Sequence, residues 1–423
     1  MDKIKKNFSF LNLSSDGSFP IGGWVEPLPP SLVDGEDLLT EESYRKIKNG
    51  GFDFVCSIYS SFPDEADQVL RHLDDAEKAD VKLFITDKTA QKGRLDENFE
   101  KNLEENRKRY ASKRSFLGWL VKDEPGSKMF GDLKERCERL SKIDEKAELY
   151  VNLLPTYSPG FMLEDGYVVE NAVWEKCDPI AYEKYVSDYL KQIKPKFLSY
   201  DFYPFDNGES GVSVLPDYFY QLSVAMRAAA NEGIPCIPFV QACKFNKWSR
   251  NPTREERLWQ INTTLAYGAK GIQYFTLWAP VNNDYENFEG YPIGAKGELG
   301  KEYADVKAFN AWIKKIGEKL KKLAFCGLYA SGETPAPIQE IDLIQDDLVT
   351  LSGDAFVGAF QDEKERNALF VVCNKLKGQS EIALEVSEAN SLLITTEKTQ
   401  YQVGGNRFAA TLNAGEGVLI EIL

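Results

Sequence analysis

The feature that most constrains this chain is a repeat. Between residues 18 and 323, short apolar runs alternate eight times with helix-like segments. The runs are FPIGGWVE (19–26), FDFVCSIY (52–59), VKLFIT (81–86), FLGWLV (116–121), AELYVNLL (147–154), FLSYDF (197–202), IPCIPFVQ (234–241) and GIQYFTL (271–277). Each is apolar on both faces, as strands of a parallel sheet covered by helices must be. The segments between them carry helix starts and stops. Thr40-Glu41-Glu42-Ser43 opens one and Asn49-Gly50-Gly51 closes it. Helices are expected over 64–78, 96–112, 132–143, 178–193, 216–231, 252–267 and 304–323. Eight such units in about 300 residues predict a (β/α)8 TIM barrel. An open doubly wound sheet that bound a nucleotide would carry a Gly-rich phosphate turn. The chain has no GxGxxG and no GxxxxGK[ST].

The pattern changes near Phe325. Alternating runs follow at short intervals: DLVTLSG, FVGAFQD, ALFVVCNK, SEIALEV, SLLITT, RFAATLN and GVLIEIL. They predict a small antiparallel β-sandwich over 324–423, after a barrel at 18–323 and an N-terminal extension at 1–17.

Composition narrows the partners. Acidic residues outnumber basic ones 66 to 51, a formal charge of −15. That argues against nucleic acid or an anionic membrane and suits a neutral substrate. No apolar run reaches the length of a membrane span. The first residues are basic but lack the apolar segment of a signal peptide. A cytoplasmic location is expected, or an exported one if a leader has been removed. Seven cysteines without a CxxC pair read as small buried hydrophobes. The single histidine, His72, is expected on a helix surface; a histidine triad and a His-rich metal site are not expected, nor is a cofactor. The oligomeric state is left open.

In such a barrel, catalytic groups stand at the C-terminal ends of the strands. Those ends supply Trp24 and Glu26, Tyr59, Asp87 and Lys88, Asp123 and Glu124, Asn152, then Tyr200, Asp201 and Tyr203, Gln241, and Trp278. Aromatic faces stack on a pyranose, and carboxylates and amides bind its hydroxyls, so this mixture suits a carbohydrate. The fourth end, FLGWLVKDEPG, finishes an apolar strand on two adjacent carboxylates. Glycoside hydrolysis needs one carboxylic acid to protonate the leaving oxygen and a second group acting at the anomeric carbon. Glu124 is the expected acid, kept protonated by Asp123 and Asp201 through like-charge repulsion. Acidic residues are also favoured at any helix N-terminus. The company of the other strand ends favours the catalytic reading. Trp248, Trp259 and the charged run 254–257 are expected to be packing and solvated residues respectively. Lys88 and Lys122 are the candidates for a Schiff-base alternative, but strand alternation should turn Lys122 away from the acids.

Two stretches carry a family resemblance. Phe116 to Pro125 resembles the strand-4 acid/base segment of barrel glycoside hydrolases. PTREERLWQINTTLAYGAKGIQYFTLW (252–278) resembles the strand-7 to strand-8 region of β-galactosidase-like barrels related to family 42, and the β domain after the barrel fits that group. The resemblance implies a retaining glycosidase whose nucleophile is a Glu at the end of strand 7. Here that place holds Gln241, and an amide cannot be a carboxylate nucleophile. Three routes stay open. On the first, Asp201 is the second catalytic carboxylate, with Asp or Glu groups elsewhere placing water for an inverting reaction. The adjacent Asp123-Glu124 resembles the hexosaminidases of families 20 and 123, where the Asp orients a substrate acetamido group that attacks; Tyr203 or Asn152 would then hold the acetamido oxygen. Or the barrel binds sugar without cleaving it.

Overall fold

The computed structural model describes residues 12–61, 66–166, 177–208, 213–362, 367–387 and 389–423. The expected N-terminal extension falls mostly outside these residues, as does the expected helix start at residue 64.

Eight parallel strands form the barrel: β1 (Ile21–Trp24), β2 (Phe54–Ser57), β3 (Lys82–Ile85), β4 (Phe116–Asp123), β5 (Glu148–Leu153), β6 (Ser199–Tyr200), β7 (Phe239–Gln241) and β8 (Ile272–Phe275). Their order is β6-β5-β4-β3-β2-β1-β8-β7. A parallel bridge between Leu198 and Cys236 joins the two ends. Leu198 N–H donates to Pro235 O and Ile237 N–H to Leu198 O, both at 2.9 Å, and the ring is closed.

The covering helices are α1 (Glu41–Asn49), α2 (Ala66–Lys78), α3 (Lys88–Lys92), α4 (Phe99–Tyr110), α5 (Phe130–Ile143), α6 (Gly160–Asp165), α7 (Pro179–Ile193), α8 (Tyr218–Glu232), α9 (Arg254–Ala266) and α10 (Tyr303–Leu320). Their starts follow local chemistry. Thr40 caps α1, Asp178 caps α7 ahead of Pro179, and Thr253 with Glu256 forms a capping box on α9. Gly233 ends α8 at φ 71°, a left-handed conformation that suits glycine.

The barrel interior is aromatic. Tyr150 packs 4.9 Å from Phe84 and 5.6 Å from Phe197, and Trp24 meets Phe239 edge-on at 5.5 Å. It is a filled core, and ligand access is left to the rim.

The C-terminal domain is a two-sheet antiparallel sandwich. Its strands are β9 (Ala324–Ser331), β10 (Val349–Ser352), β11 (Ala355–Gln361), β12 (Asn367–Cys373), β13 (Gln379–Val386), β14 (Ser391–Thr395), β15 (Gln400–Gly404), β16 (Arg407–Asn413) and β17 (Gly417–Ile422). Six pair in the order β15-β14-β17-β12-β11-β9 and three in the order β10-β13-β16. Side chains such as Val357, Val371, Ile382, Leu384 and Ile420 fill the space between the sheets.

This domain seats on α8 and α9. Trp259 Nε1–H donates to Asn374 Oδ1 at 2.9 Å, and Asn262 Nδ2 donates to Gly415 O at 2.7 Å. The Phe356 ring lies 5.5 Å from both Phe219 and Tyr267. Most of α9 is buried, and the expected solvated run at 254–257 is corrected in its second half: Arg254 is exposed and Glu255 half-buried, but Glu256 and Arg257 are buried against other barrel residues. Glu256 is buried against Arg250, and the Arg257 guanidinium is buried 3.7 Å from Glu302. His72 is likewise buried, with Nδ1 2.7 Å from the Tyr44 hydroxyl, because α1 covers the face of α2 that carries it. Among the described residues, no helix is long and apolar enough to cross a membrane.

Candidate active site

The end of β4 departs from regular strand geometry twice. The pairing with β5 shifts register between Leu120 and Lys122, a bulge. Glu124 then takes φ 45°, a left-handed conformation rare for a residue with a Cβ. Such a residue holds about 1 kcal/mol of strain or more, and it persists only where neighbours fix it. They do so here: Glu124 N–H donates to Asn152 O at 2.9 Å, and the next residue's carbonyl, Pro125 O, accepts from Tyr185 Oη at 2.7 Å. The reversal breaks the alternation that would send Asp123 and Glu124 to opposite faces of the strand. Both carboxyls instead interact with Asp201, at the end of β6.

Asp123, Glu124 and Asp201 form one cluster. Asp201 is 6% exposed, Glu124 is half-buried and Asp123 is exposed. The cluster therefore meets solvent at Asp123 and, in part, at Glu124. Burial pushes the Glu124 carboxyl well above the usual range, and the charges of Asp201 and Asp123 add to it. Glu124 hydrogen-bonds Asp201, a contact that raises Glu124 and lowers Asp201, so the shared proton rests on Glu124. Burial, then the Asp123 charge, pushes Asp201 up to about 7, against the Asn152 hydrogen bond that lowers it. Burial of its carboxyl against the cluster pushes Asp123 up as well, but its side chain is open to solvent and Asn152 and Lys122 hold it back, so it shifts least of the three. The three groups titrate as a unit.

Asn152 joins the acids to the barrel core. Its Nδ2 donates to Asp201 Oδ1 at 2.8 Å, and its Oδ1 accepts from Ser199 Oγ at 3.0 Å. Tyr203 stands beside the cluster, with its ring 4.9 Å from Phe245 and 4.8 Å from Phe275. These three half-buried rings, from the ends of β6, β7 and β8, make an apolar wall beside the acids.

Other residues expected at the site lie elsewhere. Glu26 is fully buried, with its oxygens accepting from Ile58 N–H at 2.9 Å and Tyr59 N–H at 2.7 Å. It ties β1 to the turn after β2; burial pushes it up to about 8. Tyr59 stays half-buried above it. Trp24, 7% exposed, sits within the axial core against Tyr150 and Phe239. Tyr200 is buried and faces the helix layer near Tyr182 and Tyr218, as the residue before an inward Asp201 must. Trp278 is fully buried, with Nε1–H donating to Ala295 O at 3.2 Å, so it packs its own loop. Asp87 is buried as the cap of α3. Trp248, expected to pack, is 54% exposed.

Gln241 is the sharpest correction. It is 1% exposed, and every polar atom of its amide is used by backbone. Oε1 accepts from Phe205 N–H at 3.1 Å, while Nε2 donates to Cys243 O at 3.2 Å and Arg250 O at 3.0 Å. The side chain staples the loop after β6 to the loop after β7. A carboxylate cannot donate to the two carbonyls, so the position requires an amide. Gln241 is not a free substrate ligand.

Two contributors escaped the sequence reading. Tyr157, in the loop after β5, packs 5.0 Å from the Phe202 ring and lies near Asp201 and Glu124. Phe275 is the last residue of β8, three before the Trp278 chosen from sequence. An aromatic in the TYSPG loop was the available signal for Tyr157, but it lies beyond the strand end itself.

No family model matches the chain, and no curated protein sequence does either. Solved structures do. A catalytic mutant of Gan42B, a GH42 β-galactosidase from G. stearothermophilus, superposes over 99% of this chain and 100% of its own at TM-score 0.65 and 8% identity. The family 39 glycoside hydrolase of Bacteroides cellulosilyticus WH2 matches 96% of this chain and 81% of its own at TM-score 0.51 and 11% identity. The β-galactosidase of Marinomonas ef1 matches 72% of this chain at TM-score 0.50 and 11% identity, and the chain spans 62% of that protein's length. The chain thus shares its fold, a TIM barrel followed by a β-sandwich, with glycoside hydrolases of families 42 and 39.

Proposed function

We propose that this protein is a glycoside hydrolase that cleaves an O-glycosidic bond of an oligo- or polysaccharide, with Glu124 as the acid. The observation that carries this reading is the grouping of Glu124, Asp123 and Asp201 at the ends of β4 and β6, where burial and the neighbouring charges push the Glu124 carboxyl up. A carboxyl that stays protonated near neutral pH is what a general acid requires. The tyrosine and phenylalanine wall offers an apolar face to a pyranose. Likeness of fold to β-galactosidases supports the same substrate class.

The route at the anomeric carbon follows from spacing. Carboxyls that work from opposite sides of the bond stand about 5–5.5 Å apart when retaining and about 6.5–9.5 Å when inverting. A hydrogen bond between Glu124 and Asp201 argues against their working from opposite sides of the bond. They act as one proton-sharing unit, and the nucleophile comes from elsewhere. This favours substrate assistance. Asp123 accepts the N–H of a 2-acetamido group, the acetamido oxygen attacks C1, and Glu124 gives its proton to the leaving oxygen. Water then opens the cyclic intermediate, with Glu124 as base.

The test is a panel of aryl glycosides with and without a 2-acetamido group, together with a thiazoline inhibitor. Hydrolysis of the acetamido sugars, inhibition, and a loss of about 10²–10³-fold in Asp123→Asn are expected. Cleavage confined to sugars without the acetamido group would return the second role to Asp201. Calorimetric binding of sugars with no turnover over days would establish a barrel that only binds them.

A further inference from the structure

The cluster rests on a buried polar chain that runs down the barrel axis. Ser199 and Gln273 are fully buried, as is Tyr150. Gln273 Nε2 donates to Ile237 O at 2.9 Å and to Ser199 Oγ at 3.1 Å. Tyr150 Oη lies 2.8 Å from Ser199 Oγ and 3.0 Å from Gln273 Oε1. Cys56 Sγ is 3.5 Å from the same Gln273 oxygen.

A serine hydroxyl has two lone pairs and one proton. Gln273 Nε2 fills one lone pair, and the single Tyr150 proton, placed between Gln273 Oε1 and Ser199 Oγ, faces the other. The serine proton is left for Asn152 Oδ1, at 3.0 Å. An amide whose oxygen is engaged on one side must present its N–H2 on the other, and here that side holds Asp201 at 2.8 Å. The two orientations of a free Asn amide differ little in shape, so its hydrogen-bond partners decide between them. An Oδ1 turned toward Asp201 would set oxygen against carboxylate.

We infer that Ser199, backed by Gln273 and Tyr150, is a positioning residue: it fixes the amide of Asn152 so that Nδ2, not Oδ1, meets Asp201. The charge state of Asp201 therefore depends on a hydroxyl that does not touch it. The titratable and charged groups facing Asp201 are Asp123 and Glu124 from β4, Tyr157 from the loop after β5, Tyr182 from α7 and Tyr203 from its own strand end; Lys122 acts on the cluster through Asp123. The neighbouring carboxylates oppose ionisation of Asp201, so the loss of a fixed donor acts directly on its titration.

This inference extends the proposed reading of the site, but its test does not need turnover. The carboxyl C=O infrared band of protonated Asp201 is identified as the band missing from Asp201→Asn, and its intensity is followed with pH. In Ser199→Ala its midpoint should rise by about one pH unit. Ser199→Thr, which keeps the hydroxyl, should restore it. Tyr150→Phe should move it less, in the same direction, and serves if Ser199→Ala does not fold. Where hydrolysis is measured, kcat of Ser199→Ala should fall about tenfold or more. Identical Asp201 titrations in wild type, Ser199→Ala and Tyr150→Phe would overturn the inference. Hydrolysis absent from the wild type would instead overturn the functional reading and leave this titration valid.

Discussion

Glu124→Gln should lower the hydrolysis of glycosides with poor leaving groups by about 10²–10⁴-fold, the usual contribution of a general acid. The loss should shrink as the leaving group becomes more acidic, because a good leaving group departs without a proton. Gln keeps the length of the side chain and its hydrogen bond to Asp201, so the fold is not at stake. Stability should in fact change the other way at alkaline pH. The folded carboxyl of Glu124 titrates well above its unfolded value. Such a group contributes stability in full below the unfolded pKa, near 4, and loses it as pH rises through the folded value. The amide cannot ionise, so Glu124→Gln should melt above wild type at pH 9 and close to it at pH 5. Steady-state rates on aryl glycosides of graded leaving-group acidity, with melting curves at both pH values, check this. Rates equal to wild type on poor leaving groups would remove Glu124 from the chemistry.

Gln241→Glu should destabilise the fold by about 3–5 kcal/mol and create no activity. The substitution restores the residue expected at the end of strand 7 from the family resemblance. It also places a buried carboxylate against the carbonyls of Cys243 and Arg250, which Gln241 now meets as a donor. An unpaired buried charge has a penalty of that size. Protonation would relieve it in part, so the loss should be smaller at acid pH. Denaturant unfolding at pH 5 and pH 8 measures both effects. A variant as stable as wild type and faster on any glycoside would mean that the site lacks only its nucleophile, and the structural account of Gln241 would fail.

The barrel was legible because a parallel sheet sealed by helices leaves long two-faced apolar runs and capping residues at regular intervals. FLGWLVKDEPG was legible for a related reason: an apolar strand ending on two carboxylates has few places to put them. The errors share a cause in partners distant in sequence. Gln241 is defined by Phe205, 36 residues away, and His72 by Tyr44, 28 away. Arg257 is buried among Ala242, Asn251 and Glu302, from loops that surround the start of α9. Alternation failed where the backbone departed from it, at the β4 bulge and at Glu124. Strands β9 and β15 were missed because Gly327 interrupts the first, while the second is a largely exposed edge strand without an apolar alternation.

The central claim is that Asp201 keeps the proton on Glu124, and the alkaline limb of kcat/KM tests it most directly. That limb reports loss of the proton from the acid in the free enzyme. Removing the Asp201 charge removes one cause of the raised Glu124 carboxyl. In Asp201→Asn the limb should move to lower pH by about 1–3 units, the usual effect of a like charge in contact. A limb that stays in place, or moves to higher pH, would contradict the account.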